Sequence, residues 1–378
     1  MLKEEWRMHS EIFHGSSFAT FPLVILLISL TGSYALIELS TLGLNALANI
    51  IGFLGVFMGL SVGAIGFWSK DAMENVLGPY NLLIYSSRTL PVSKAKLLGS
   101  FFVMDTIYYT AFFLLPLSAG VLLVSGLAAL TGIGMLFGGF VAGLLLSLLV
   151  SSLSAQIPNY RTSYGDRTDP LTEKTIIDVM RSTGGIMKVV FSLTILTGFY
   201  WALVIYFPFA SRFLQNPVIS FGVLIGTVSL TVYNWINRFD QAEEYLYLPV
   251  NAEMLLKSKQ KAFIIVSFPL TLMFLAGAFL IYPVSIIEAV LAVAASISTQ
   301  IYTVGLGSFL TGLRPNYRLF DSKVFVKYLI GNSIFVLPLL MISLFIDNGL
   351  YSYFVALLVI TAGSGIFLAN KAKNSVET

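Results

Sequence analysis

Long apolar stretches without charged residues alternate with short polar segments along the chain. A helix needs about 20 apolar residues to cross a hydrocarbon core about 30 Å thick, and these stretches meet that length. The stretch from Thr106 to Tyr160 is long enough for two crossings, with a break at Ser125-Gly126. The pattern predicts ten membrane-spanning helices, at residues 21–39, 48–68, 99–123, 127–152, 187–208, 217–236, 262–281, 285–309, 328–346 and 350–369.

The amino-acid composition agrees with this pattern. Of the 378 residues, 57% are hydrophobic and only 11% are charged, against about 25% charged in soluble domains. We therefore expect an all-α polytopic membrane protein. The chain has no Cys, which excludes a disulfide framework and a thiolate metal site. Acidic residues interrupt the basic N-terminal region, so we expect no cleavable signal there.

The basic residues orient the predicted helices. Of the 22 Lys and Arg, 20 lie in the two termini and the loops that follow the even-numbered crossings, Lys188 lies at the start of the fifth crossing on the same side, and only Arg212 lies on the other side. Lys and Arg are concentrated on the cytoplasmic side of membrane proteins. Both termini and all long loops are therefore predicted to be cytoplasmic, and the predicted location is the cell membrane, with membrane lipids around the helices.

Residues 1–20 form a polar segment ahead of the first crossing. Leu2, Trp6, His9 and Phe13 are three or four residues apart, a spacing that places them on one face of a helix. The spacing predicts an amphipathic cytoplasmic helix at the membrane surface. A disordered tail is the alternative.

Two short motifs each occur twice, at nearly the same separation along the chain. Leu-Pro-Val stands at 90–92 and 248–250, and Pro-Asn-Tyr-Arg at 158–161 and 315–318. The matches predict an internal repeat of four crossings, followed by a trailing pair. Four is an even number, so the repeats should be parallel and related by an axis along the membrane normal. The predicted parts are residues 1–20, 21–170 (first repeat), 171–327 (second repeat) and 328–378 (trailing pair and short cytoplasmic tail).

Each Leu-Pro-Val motif lies in the cytoplasmic loop between the second and third crossings of its repeat. The residue before a Pro avoids helical geometry, so one element should end at Leu90 or Leu248. Ser93 or Asn251 is then placed to cap a short helix that enters the next crossing. Mixed-charge segments of helical character precede both motifs. Short helices held below a membrane domain favour a docking function.

The order of these features resembles the ABC-2 type permeases of ATP-driven exporters. That order is an amphipathic N-terminal helix, two crossings, and an inner loop with an acidic residue ahead of Leu-Pro-Val. A Leu-Leu pair then leads into the third crossing. The family usually has six crossings and one such loop per chain, whereas this chain has ten predicted crossings and two loops. The resemblance is carried by Leu90, Pro91, Val92 and Ser93, and by Glu243, Glu244, Leu248, Pro249 and Val250.

The resemblance implies a partner. In that family the loop is similar in position to the coupling helix that meets a separate ABC ATPase. ATP and magnesium would be held by the ATPase, whose closure the loops would transmit to the helices. Those nine residues are then candidate contacts to the ATPase.

Sequence motifs for chemistry within the chain are missing. There is no Walker A loop, no Gly-x-Ser-x-Gly elbow and no paired-His zinc motif, and His9 and His14 are the only histidines. We therefore expect no catalytic, cofactor or metal site in this chain, which is predicted not to be an enzyme. No nucleic-acid partner is expected.

Acidic residues within apolar stretches are candidates for a translocation path, because a charge at the centre of a bilayer costs at least ~2.5 kcal/mol. Asp105 lies in the third crossing beside Tyr108 and Tyr109, and Glu288 lies near the outer end of the eighth. These four residues form the candidate path. The alternatives are a polar contact between helices for Asp105 and an interfacial position for Glu288 and for Glu38, at the end of the first crossing.

Glycines at four-residue spacing predict close helix packing in the second and fourth crossings. Whether they join the two repeats or two copies in a homodimer is left open by the sequence. The glycines are Gly55, Gly59 and Gly63, and Gly134, Gly138, Gly139 and Gly143.

A further cytoplasmic helix is predicted after the fourth crossing. Asp169 is a candidate cap, Pro170 stands at the first helical position, and Gly184-Gly185 is the expected stop. The helix is either a second contact surface or a solvated connector.

The leading hypothesis is a permease subunit of an ATP-driven exporter. Two alternatives stay open: an ion-coupled secondary transporter that uses Asp105, and a membrane scaffold that moves nothing.

Overall fold

The structure confirms the all-α prediction for the part of the chain that it describes. Helix accounts for 93% of the described residues, and no strand occurs among them. The computed structural model describes residues 21–40, 44–67, 103, 106–154, 169–181, 185–206, 216–239, 242–245, 247–315, 322–346 and 349–375.

We number the principal helices of these ranges in chain order. They are α1 (Phe21–Ser40), α2 (Leu44–Phe67), α3 (Thr106–Ser125), α4 (Leu130–Ser154), α5 (Pro170–Arg181), α6 (Gly185–Tyr206), α7 (Pro217–Val228), α8 (Leu230–Phe239), α9 (Ala252–Ile281), α10 (Ile286–Thr311), α11 (Ser322–Leu344) and α12 (Tyr351–Ser375).

The chain folds as two compact units that meet in sequence at Ile157 and Pro158. The first unit contains α1 to α4, and the second contains α5 to α12.

In the first unit, α2 and α4 run parallel in close contact. A Cβ on Gly55 would overlap the backbone of Leu136, and a Cβ on Gly59 would overlap the backbone of Phe140, so the contacts advance along both helices together. A Cβ on Gly143 would likewise overlap the backbone of Val56. The glycine faces predicted for the second and fourth crossings therefore pack against each other within one unit. Gly134 and Gly138, by contrast, have open space around them.

The remaining helices of the first unit, α1 and α3, also pair. The Ser29 hydroxyl donates to the Leu117 carbonyl oxygen at 2.6 Å. Within α3, a π turn at Thr110–Leu114 ends two residues before Pro116. The helix ends at Ser125 because Gly126 takes a positive φ of 60°, a conformation that residues with a Cβ rarely adopt. The predicted break at Ser125-Gly126 is confirmed.

In the second unit, α10 lies at the centre, between α7 and α12. Gly222 and Gly226 of α7 contact the backbone of α10 at Ala292 and Ser296. Because the contacts advance along both helices together, α7 and α10 run parallel. Apolar residues of α11 complete this core, among them Val336 and Leu339.

Helix α9 is a single helix of 30 residues, which makes it about 45 Å long. Asn251 caps it as predicted, since its side-chain Oδ1 accepts a hydrogen bond from the Met254 N–H at 2.8 Å. The crossing predicted at 262–281 thus begins ten residues earlier, as one continuous helix from the Leu-Pro-Val motif.

The predicted helix after the fourth crossing is confirmed as α5. Its Thr172, Thr175, Ile176 and Val179 are buried, and it packs against α6, α8 and α9. The described face of α5 is thus docked rather than fully solvated. The described part of α5 ends at Arg181, and α6 begins at Gly185; Gly184, the first residue of the expected stop at Gly184-Gly185, lies outside the described residues.

Candidate functional site

The second Leu-Pro-Val motif forms a turn between a 3₁₀ helix at Ala242–Tyr245 and α9. The Leu248 N–H donates to the Tyr245 carbonyl oxygen at 3.0 Å, and the Val250 N–H donates to the Leu248 carbonyl oxygen at 2.7 Å. The second bond closes a three-residue γ-turn around Pro249. Backbone hydrogen bonds on one side and the Asn251 cap on the other fix the shape of this turn.

Apolar side chains of the turn and of the first turn of α9 are exposed. Tyr247 is 95% exposed, and Leu248 and Met254 are each 52% exposed. Lys257 follows on the exposed face of α9, one turn beyond Met254. We call Tyr247, Leu248, Pro249, Met254 and Lys257 the Leu-Pro-Val surface.

The adjoining 3₁₀ helix is held by α5. Tyr245 is buried, and the Lys174 Nζ atom lies 4.8 Å from the centroid of its ring. Lys174 also forms a 2.8 Å ion pair with Asp178, one turn along α5. Ile176, also on α5, packs in the same apolar cluster as Phe263 of α9. Helix α5 therefore supports the Leu-Pro-Val surface from the side.

The acidic residues ahead of the motif are described only in their backbone. Glu243 and Glu244 lie within the 3₁₀ helix at Ala242–Tyr245. The first-repeat motif falls outside the described residues, and it comprises Leu90, Pro91, Val92 and Ser93.

The candidate path residues occupy two different units. Asp105 lies outside the described residues. Tyr108 is buried and stacks on Phe112 with ring centroids 4.7 Å apart, while the Tyr109 ring lies 6.3 Å from that of Phe140 in α4. Tyr108 thus stacks within α3, whereas Tyr109 takes part in aromatic packing between α3 and α4.

Glu288, in the second unit, caps a helix. Its carboxylate accepts a hydrogen bond from the Ser285 N–H at 2.7 Å, and its own N–H donates to the Ser285 hydroxyl at 3.3 Å. This reciprocal pair is a capping box at the start of α10.

A polar seam between α9 and α10 was not predicted from the sequence. Near the Leu-Pro-Val end of α9, the Gln260 side-chain amide donates to the Ser308 hydroxyl at 3.0 Å. Further along, Gln300 of α10 bonds to Ser267 and Thr271 of α9. The signal in the sequence was the placement of Gln260, Ser267 and Thr271 seven and four residues apart, on one face of a helix.

Metal ligands do not cluster in the described part of the chain. Within it, no group of three or more His, Cys, Asp or Glu residues is placed to hold a metal ion. The seam consists of neutral amides and hydroxyls, which can exchange hydrogen bonds but supply neither a nucleophile activated by a base nor a charged site.

These features define the class of protein. Seven helical spans in the described ranges, one of them formed by α7 and α8 together, are long and apolar enough to cross a membrane, so the chain is a helical membrane protein. No family model, curated protein or solved structure matches it.

Proposed function

We propose that this chain is the membrane permease subunit of an ATP-driven exporter of the ABC-2 type. It has ten crossings in a parallel repeat with a trailing pair, and it lies in the cell membrane with both termini cytoplasmic. A separate ABC ATPase holds ATP and magnesium. The chain itself carries no catalytic site.

The count of ten is supported by three further helices besides the seven apolar spans. Helices α1, α2 and α6 contain shorter apolar segments at Ile25–Tyr34, Leu47–Ser61 and Val189–Ile205. These segments overlap the crossings predicted at 21–39, 48–68 and 187–208, and the second segment begins one residue before its crossing. Each α-helix as a whole has 20 to 24 residues, enough for a crossing.

The repeat is supported by a shared helix pairing. In each unit the second and fourth predicted crossings run parallel, and glycines bring their backbones into contact. The pair is α2 with α4 in the first unit and α7 with α10 in the second.

The observation that carries the coupling proposal is the join between the Leu-Pro-Val surface and α9. An exposed Tyr and Leu stand on a turn that is hydrogen-bonded to the start of a helix, and that helix continues for 30 residues. Since a helix is stiff along its axis, force on the turn is passed to the membrane end. An ATPase groove that accepts Tyr247 and Leu248 would move α9 when the ATPase closes.

The test is purification of the tagged full-length chain in mild detergent, with mass spectrometry of what accompanies it. We expect a stoichiometric ATPase that carries its own Walker A motif. Two variants should lose it: Tyr247→Ala with Leu248→Ala, and Glu243→Lys with Glu244→Lys. Tyr353→Ala is the matched control, because Tyr353 is 68% exposed at the start of α12, the opposite end of the unit.

Absence of an ATPase from the wild-type preparation in several detergents contradicts the proposal. Ion-gradient transport by the wild type and by Asp105→Asn is then the next measurement, because loss of transport in that variant identifies a secondary transporter.

A further inference from the structure

Helix α9 contains a proline near its middle. Pro269 lies inside the helix, and it has no N–H to donate to the carbonyl oxygen of Ile265. Helices bend most readily at such positions. The long helix that begins at the Leu-Pro-Val surface therefore has a weak point, with 17 residues before it.

Gln300 of α10 bridges this weak point. Its side-chain carbonyl oxygen accepts from the Ser267 hydroxyl at 3.1 Å, and its amide nitrogen donates to the Thr271 hydroxyl at 2.6 Å. Ser267 and Thr271 stand two residues before and two residues after Pro269. They share the face of α9 that meets α10, while Pro269 is exposed.

The bridge is anchored on its own helix. The Gln300 amide nitrogen also donates to the Ser296 hydroxyl at 3.0 Å, one turn earlier on α10. All of these side chains are buried: Ser267 and Thr271 are 0% exposed and Gln300 is 4% exposed. Breaking the bridge would leave amide groups unpaired in an apolar environment, which is costly. The arrangement therefore favours a straight α9.

A second contact between the same helices provides an internal comparison. Gln260 donates to Ser308, but both lie on the Leu-Pro-Val side of Pro269. This bond ties the inner part of α9 to α10 without bridging the weak point.

We propose that Gln300 is a clamp that holds α9 straight across Pro269. While the clamp is closed, the two halves of α9 move together; when it opens, the inner half swings about the proline. The clamp itself is a property of this chain alone. Its consequence is control of how motion of the Leu-Pro-Val surface reaches the outer half of α9, and only this consequence rests on the proposed function.

Distances between two spin labels test the clamp. The chain has no Cys, so labels at Met254→Cys and Phe367→Cys report from those sites alone. Met254 is at the start of α9. Phe367 of α12 is exposed. It lies at the same end of the unit as Met254, as shown by Lys371, one turn further along α12, which lies 5.4 Å from the Phe309 ring of α10. The full-length labelled chain is reconstituted in lipid nanodiscs without any partner.

Gln300→Leu should broaden the distance distribution and shift it. A bend of about 20° at the end of a segment about 25 Å long moves its tip by ~8 Å. Gln260→Leu, which removes a similar bond between the same helices, should leave the distribution within about 2 Å of the wild type. Adding Pro269→Ala to Gln300→Leu should restore the narrow distribution, because the N–H of Ala completes the helix.

Three results overturn the clamp: an unchanged distribution in Gln300→Leu, an equal shift in Gln260→Leu, or no restoration by Pro269→Ala. If Gln300→Leu does not fold, the Ser267→Ala and Thr271→Val double variant removes the partners instead and should give the same shift. The nanodisc sample contains no ATPase, so the spin-label distances do not depend on whether an ATPase copurifies with the chain in the other experiment. Failure of the clamp and failure of the proposed function are therefore separate results.

Discussion

Gly305 of α10 and Gly365 of α12 lie in backbone contact where these two parallel helices meet. A Cβ on Gly305 would overlap the carbonyl group of Gly365, and a Cβ on Gly365 would fall 2.5 Å from the Cα atom of Tyr302. Nearby, the Ser298 hydroxyl donates to the Leu358 carbonyl oxygen at 2.7 Å. Close backbone approach and an interhelical hydrogen bond thus join α12 to the centre of the second unit.

Gly365→Ala should therefore separate α10 from α12. Overpacking of this kind destabilises by about 1 to 3 kcal/mol, which should appear as a lower midpoint of thermal unfolding in detergent. Gly363→Ala is the control, since Gly363 lies on the same helix with nothing within 4 Å of an added Cβ. Equal midpoints for the two variants would show that the contact does not contribute.

The α2 and α4 pair in the first unit predicts a similar contrast. Gly59→Ala should destabilise by about 1 to 3 kcal/mol because its Cβ meets the backbone of Phe140. Gly138→Ala should be neutral or slightly stabilising, since that glycine is in open space and Ala favours helix. Hydrogen exchange of α2 and α4 measures both. Faster exchange in Gly138→Ala than in Gly59→Ala would contradict the packing.

Asn251→Ala should fray the start of α9. Loss of a side-chain N-cap costs about 0.5 to 2 kcal/mol, and here the bond lost is that to the Met254 N–H. Hydrogen exchange of the first turn should accelerate, while exchange near Leu275 stays unchanged. Asn251→Ser keeps a capping oxygen and should behave like the wild type; fraying in that variant would assign the effect to something other than the cap.

Ile176→Ala should loosen α5 from the second unit. Ile176 is fully buried, and removal of such a side chain costs about 2 to 4 kcal/mol. We expect faster hydrogen exchange across α5. The neighbouring Ile177 is only partly buried, so Ile177→Ala should have a smaller effect. The opposite order would mean that α5 is docked by another face.

The capping box at the start of α10 predicts how Glu288 behaves. Ser285→Ala should lower stability by about 1 kcal/mol, while Glu288→Gln retains an acceptor oxygen for the Ser285 N–H and should change the unfolding midpoint little. A large loss of stability in Glu288→Gln alone would show that the charge of Glu288, and not its acceptor, is what matters.

Local signals in the sequence located many helix ends correctly. The break at Gly126, the cap at Asn251 and the start of α5 at Pro170 each depend on one residue and its immediate backbone. The length of α9 was underestimated because Lys257, Lys259 and Lys261 interrupt the apolar pattern. The hydrogen bonds of a helix join residues four apart and do not depend on whether the side chains are polar, so α9 continues from water into the membrane without a break.

The sequence by itself determined the class of structure: continuous apolar stretches of about 20 residues have the length of membrane-spanning helices, in which every backbone hydrogen bond is made within the segment. The tertiary structure decided which faces meet. Neighbouring residues give no indication that Gln300 reaches Ser267 and Thr271, or that Gly305 meets Gly365. Such contacts depend on how helices far apart in sequence rotate and pack, and that is settled by the combined packing of all their side chains.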